Sequence, residues 1–239
     1  MKAQFHFDPA LAPFLAPSRR GRSFEYDCAR AATLKNAIEA LGVPHTEVGT
    51  VTVNGTAATL QRTVREGDFV EVAAPQPGSA QVQAEMGTVP IFVADAHLGG
   101  LARFLRMLGF DTLHRNAFSD EEIRRLAESE KRIVLTRDRE LLKCREITHG
   151  AYVRALKPEA QLREVAERFR LAARARPFTL CLNCNLPLAP ADANEVAARV
   201  PEAVRRLHQR FVRCPGCEGV FWPGTHYERM LAALRSMFP

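Results

Sequence analysis

From Ile91 onward the chain alternates short apolar runs with helical stretches, and this alternation limits the fold more than any other feature of its 239 residues. IFVA (91–94), FDTLHR (110–115), RIVLT (132–136) and AYVRAL (151–156) read as strands. Leu98, Leu101, Leu105 and Leu108 form a helical stripe between the first two, with Gly109 placed as its stop. Further helices are expected from Ser119 to about Glu130, over DRELLK, and from Pro158 to about Ala175. Strands joined by such helices require right-handed crossovers and a parallel sheet covered on both faces.

In an open parallel sheet, ligands bind beyond the carboxyl ends of the strands. Asp95 follows the first strand directly, and Asp138 follows the third after Thr136 and Arg137. Asp120 is offered from the head of the intervening helix. Three converging carboxylates repel one another unless a cation neutralises them. Mg²⁺ or Mn²⁺ does so and supplies an activated water for phosphodiester cleavage. Each aspartate also has a structural reading. Asp95 and Asp138 sit at N-cap positions, and Ser119 with Glu122 spells a capping box in which Asp120 and Glu121 answer the helix dipole. Glu121 or Glu122 is an alternative ligand to Asp120. Arg137 stands where a bidentate contact to a scissile phosphate would fall. Arg103 and Arg106 either guide the phosphate chain or line a solvated helix face.

Four of the six cysteines form two pairs, Cys181/Cys184 and Cys214/Cys217, separated by 29 residues. That spacing suits a tetrahedral zinc held by four thiolates, closed to substrate and therefore structural. Redox pairs are the alternative. Trp222 and His226 follow the second pair and either stack unpaired bases or pack the module itself. The net charge of +6 is uneven: residues 161–239 hold twelve arginines, no lysine and seven acids. Such a bias fits phosphate contact or simply an arginine-rich proteome.

Before the linker PQPGSAQVQAEMGTV, the chain reads as a small α+β unit. QFHF and RSFEY suggest a first hairpin, Thr33 caps a helix through Leu41, and Asn54-Gly55 marks a second hairpin. TLKNAIEALGVPHTEVGTVTVNG and REGDFVEV resemble the β-grasp, ubiquitin-like fold of sulfur-carrier proteins. The chain continues past this unit without a Gly-Gly end, which implies a docking module that engages a protein partner.

The run FVADAHLGGLARFLRMLGFDT, then SDEEIRRLAES, RIVLTRDREL, CLNCN, CPGC and VFWPGTHYERM resembles the Mut-seven C-terminal RNase domain family, a PIN-like nuclease group. The resemblance implies a PIN-like α/β/α sandwich, RNA as partner, Asp95, Asp120 and Asp138 as the acidic motif, and metal-dependent cleavage. The expected organisation is a β-grasp domain over 1–75, a linker over 76–89, the PIN-like domain over 90–176 and a zinc-ribbon module with a closing helix over 177–239. The expected function is a metal-dependent ribonuclease acting on single-stranded RNA. A non-catalytic RNA-binding protein and an adaptor acting through the β-grasp domain are the alternatives. No stretch reaches the length of a membrane span, and a cytoplasmic setting is expected.

Overall fold

The computed structural model describes residues 1–78, 89–225, 227–228 and 231–232. Most of the expected linker, and Met230 and Leu234 of the expected closing helix, lie outside the described residues.

Strands β1 (Lys2–Phe7), β2 (Phe24–Asp27), β3 (Val51–Val53), β4 (Thr56–Ala58) and β5 (Phe69–Val72) form one sheet in the order β2-β1-β5-β3-β4. β1 and β5 run parallel, and the other neighbours are antiparallel. Helix α1 (Leu34–Ala40) begins at Thr33, whose hydroxyl accepts from Asn36 N in a capping box. Asn54 and Gly55 both take positive φ, which gives the tight turn that joins β3 to β4. Phe5, Leu11, Leu34, Ile38 and Val70 close the core. This is the β-grasp arrangement.

The second sheet holds β6 (Phe92–Ala94), β7 (Thr112–Leu113), β8 (Ile133–Thr136) and β9 (Gly150–Tyr152), all parallel, in the order β7-β6-β8-β9. Helices α2 (Gly99–Met107) and α5 (Pro158–Arg168) cover one face through Phe92, Ala94, Leu105, Leu135 and Leu162. Helices α3 (Asp120–Glu130) and α4 (Arg139–Lys143) cover the other through Val93, Ile123, Val134 and Leu142. Each fully buried aliphatic or aromatic side chain of this kind contributes about 1.5–3 kcal/mol. α5 stops short of the expected Ala175. Phe169 drops edge-on against Phe92, and Arg170 turns left-handed, so the chain leaves the helix as a 3-10 turn over Leu171–Arg174.

A third unit packs β10 (Ala189–Ala191), β11 (Phe211–Arg213) and β12 (Val220–Phe221) antiparallel beside α6 (Glu202–Leu207). Among the described residues its buried apolar core is Val196, Val200 and Phe211, too little to hold such a unit without a staple.

The two flanking units attach to different parts of the parallel sheet. The Cys181–Asn185 loop is bolted to the amino end, where Asn185 Oδ1 accepts from Thr112 N and Asn185 Nδ2 donates to Asp111. Gly109 turns the chain there with φ +87°, and a Cβ at that position would strike the Arg176 carbonyl. The β-grasp domain instead covers the free edge of β9. Glu47, 1% exposed, accepts from Tyr152 N at 2.9 Å, Arg168 Nη1 at 2.7 Å and Arg154 Nη2 at 3.2 Å. His45 Nε2 donates to the Ile147 carbonyl, and the Phe14 and Tyr152 rings meet edge-on at 5.2 Å. A strand edge that would otherwise present open N–H groups is thereby closed. Among the described residues no helix is long and apolar enough to cross a membrane.

Candidate functional site

The chain order places the switch point of the parallel sheet between β6 and β8, where the crossovers diverge and a crevice opens at the carboxyl ends. Asp95 leaves β6 there. Its Oδ1 accepts from Ala96 N at 2.6 Å, capping a 3-10 turn over Ala96–Leu98, and its Oδ2 accepts from Thr136 Oγ1 at 2.7 Å. Thr136, fully buried at the end of β8, also accepts from Asp138 N at 2.9 Å through the same hydroxyl. One side chain therefore ties Asp95 to Asp138 across two adjacent strands. Asp138 caps α4, with its Oδ1 taking Glu140 N at 2.7 Å and Leu141 N at 3.4 Å. Capping and crevice placement, alternatives on sequence grounds, coexist in both residues.

Asp120 begins α3 and is exposed, while Ser119 and Glu122 form the capping box beside it. The charges of Asp120 and Asp138 are both felt at Cys144, whose thiol is pushed up first by burial and also by Glu146 and these two aspartates, with Arg124 opposing. Among the described residues the three aspartates do not form a set with donor atoms all within 4.8 Å of one another. Arg137 and Arg103 are exposed and make no ion pair among the described residues.

Arg106 corrects both of its expected roles. It is 5% exposed, and its guanidinium donates to Thr112 O, Leu182 O and Asn183 O, so it neither guides phosphate nor lies on a solvated face. It is a bolt between α2 and the cysteine loop, and burial pulls its pKa down. Trp222 packs against Phe211 in the third unit, anchored at the amino end and away from the aspartates. His226 lies outside the described residues. Gly99 and Gly100 are small for steric reasons, because a Cβ on Gly99 would sit 2.9 Å from the His114 ring and one on Gly100 2.6 Å from Pro158.

Thr136 was missed by pattern. Its signal is a hydroxyl ending a fully buried strand one residue before a turn, where an isolated polar group must find partners. His114 was missed as well. It leaves β7 at the same crevice, and its Nε2 donates to the Ala96 carbonyl at 3.1 Å, bracing the Asp95 turn.

The four cysteine sulfurs all lie within 4.8 Å of one another. In each pair the first cysteine takes N–H groups from its own turn: Cys184 N donates to Cys181 Sγ at 3.5 Å, three residues on, and Gly216 N donates to Cys214 Sγ at 3.4 Å, two residues on. For Cys214, burial is the largest single influence and raises the pKa, but the N–H groups of Cys217 and Gly216 together with the thiols of Cys181 and Cys217 outweigh it and bring the thiol down to about 7. Cys184 is pushed up to about 12, mainly by its contact with Cys217. Four thiols this close can bind zinc, and bare thiolates so crowded would not coexist.

A family model described as the Mut7-C RNAse domain matches residues 90–234, and one described as Mut7-C ubiquitin matches residues 1–79. Two solved structures are similar to the N-terminal part of the chain. A small archaeal modifier protein 1 from H. volcanii is 21% identical, with a TM-score of 0.25, over 31% of this chain and 97% of that one. A structure of SAMP1 from Haloferax volcanii is 21% identical, with a TM-score of 0.26, over 33% of this chain and 100% of that one. Comparison with curated proteins returns no match.

Proposed function

This chain belongs to the Mut7-C RNase domain family, and from that premise we propose that it is a metal-dependent ribonuclease cutting single-stranded RNA at the β6/β8 crevice. The observation that carries the proposal is the Asp95–Thr136–Asp138 linkage, which holds two carboxylates at the switch point of a parallel sheet.

The donor set fits a hard divalent cation. Asp95 keeps a lone pair on each oxygen, Asp138 Oδ2 accepts no hydrogen bond, and Asp120 accepts none on either oxygen among the described residues. All donors are oxygens, the preference of Mg²⁺ and Mn²⁺, and a spread set suits a cation that retains several waters. Bound there, the cation supplies an activated water and neutralises phosphate charge. Thr136 orients the Asp95 carboxylate and holds the Asp138 backbone, and the α4 amides orient the Asp138 carboxylate. Arg137, beside Asp138 and without a carboxylate partner among the described residues, is free to grip the phosphate through its two-pronged fork. His114 acts through the Ala96 carbonyl as a positioning residue.

The test is cleavage of labelled single-stranded RNA by the full chain in Mg²⁺ or Mn²⁺. Asparagine is a good N-cap, so Asp138→Asn keeps α4 intact while removing charge. The rate is expected to fall by more than the roughly 10–100-fold that follows loss of an outer-shell metal partner. Wild-type cleavage by the variant, or none by the wild type in either metal, overturns the proposal. The spread of the carboxylates favours a second reading, non-catalytic RNA binding, which predicts retention of RNA without cleavage.

A further inference from the structure

The β-grasp domain is more than a cover for β9. Its Pro9–Phe14 segment reaches the carboxyl end of the sheet, where Arg139, the neighbour of Asp138, donates to the Pro13 carbonyl at 3.0 Å and lies over the Phe14 ring. Leu15 follows two residues on, at most about 7 Å along the chain from Pro13. The next residues, 16–22, carry Arg19, Arg20 and Arg22 and no acid. None of the three makes an ion pair among the described residues. All are held in place by other means. Arg20 Nε donates to Leu15 O at 3.0 Å, Arg22 forks onto the Ser18 carbonyl, and Arg19 lies over Phe24 and Tyr26 at 5.4 and 5.3 Å.

We infer that residues 16–22 of the β-grasp domain form a subsite for the RNA backbone, continuous with the acidic crevice through Arg139. Guanidinium groups already immobilised against carbonyls and rings lose little freedom on meeting phosphate, and their remaining N–H donors point at no carboxylate. Arg137, Arg139 and these three arginines make a run of unpaired cations that crosses the domain junction. Half-buried Phe24 and Tyr26, packed on the β-grasp core, serve as the platform that holds the Arg19 guanidinium in place. RNA leaving the crevice on this side would pass over the first domain, and not over the cysteine module, which is anchored at the opposite end of the sheet. The inference rests on the nuclease reading above.

The experiment compares Arg19→Glu/Arg20→Glu/Arg22→Glu with its parent in the full chain carrying Asp138→Asn, using RNA of about four and about twenty nucleotides. Affinity for the longer RNA is expected to fall about tenfold or more, with a log–log salt slope flatter by about 2, at about 0.7 per phosphate for three phosphates. Binding of the short RNA should not change, and photocrosslinks from the longer RNA should map to residues 16–22. The matching triple lysine variant, which keeps the charge, should retain most of the affinity. Long-RNA affinity and salt slope unchanged in the glutamate variant overturn the inference while leaving the crevice reading intact. Loss of polyglutamate binding with RNA binding unchanged reassigns the patch to an acidic polypeptide. A parent that binds neither RNA overturns the crevice reading, and this inference with it.

Discussion

At the amino end of the parallel sheet, Arg132 meets Asp111 and Glu130, Arg106 serves three carbonyls, and Asn185 satisfies both Thr112 and Asp111. Burial would raise the Asp111 carboxyl, yet the Arg132 fork and the Asn185 amide hold it below the usual carboxylate range. At the carboxyl end, Asp120, Arg137 and Asp138 are exposed and carry no ion pair among the described residues. The amino end spends its charges on cohesion, whereas at the carboxyl end the ion pairs lie beyond β7 and β9 and the charges around β6 and β8 are left available. Paired buried charge is costly to break, whereas unpaired charge at a crevice is stable only because solvent, or a ligand, answers it.

Four interventions probe the two ends of the sheet and the seams beside them. The largest effect is expected at the cysteine end. Chelating the zinc that the four thiols can bind, or Cys214→Ser, should remove a binding free energy on the order of 10 kcal/mol, which the small core of that module among the described residues cannot replace. Hydrogen-exchange protection should vanish over 177–225 while persisting in β6 and β8, and metal analysis of the wild type should return about one zinc per chain.

Next comes Glu47→Ala, which strands Arg168 and the Tyr152 amide at the domain junction. Urea unfolding should lose about 3 kcal/mol, less any share screened at the more exposed Arg154. An unchanged midpoint would show that the junction does not depend on this carboxylate. Thr136→Val follows. It preserves shape but removes the bond to Asp95 and leaves Asp138 N unpaired, costing about 1–2 kcal/mol. Here the contrast predicts a split, with RNA cleavage down by about tenfold or more and zinc content untouched.

The smallest effect concerns His149, whose pKa is lowered by burial and by Lys131 and whose buried Nδ1 has no hydrogen-bond partner among the described residues. The unfolded chain takes up a proton near pH 6.5, and the folded chain does so only at lower pH. Stability is therefore full above about pH 6.5 and falls as pH is lowered through that value. His149→Gln should flatten the dependence of the urea midpoint between about pH 7.5 and 5.5.

What could be read from the chain was whatever repeats or punctuates locally. Apolar runs announced β6 and β8, Gly109 and Asn54-Gly55 announced their turns, and the Cys-x-x-Cys spacing announced the sulfur cluster. Arg106 was unreadable because its partners, Leu182 and Asn183, are more than seventy residues away and offer only carbonyls, which every residue has. Glu47 was equally silent. A lone glutamate in GVPHTEVG looks solvent-facing until β9 and α5 are packed against it. The aspartates were half legible. The positions of Asp95 and Asp138 after strands, and their caps, could be read, but the hydroxyl of Thr136 that joins the Asp95 carboxylate to the Asp138 amide could not.

The closed edge of β9 also bears on the order in which the chain is made. Residues through Val72 complete the β-grasp sheet, and at about 5–20 residues per second several seconds pass before β9 emerges. When β9 forms, the Glu47 carboxylate that receives the Tyr152 amide is already in place. The first domain can therefore act as a template built into the nascent chain, giving the last strand of the sheet a seat before another copy can pair with it.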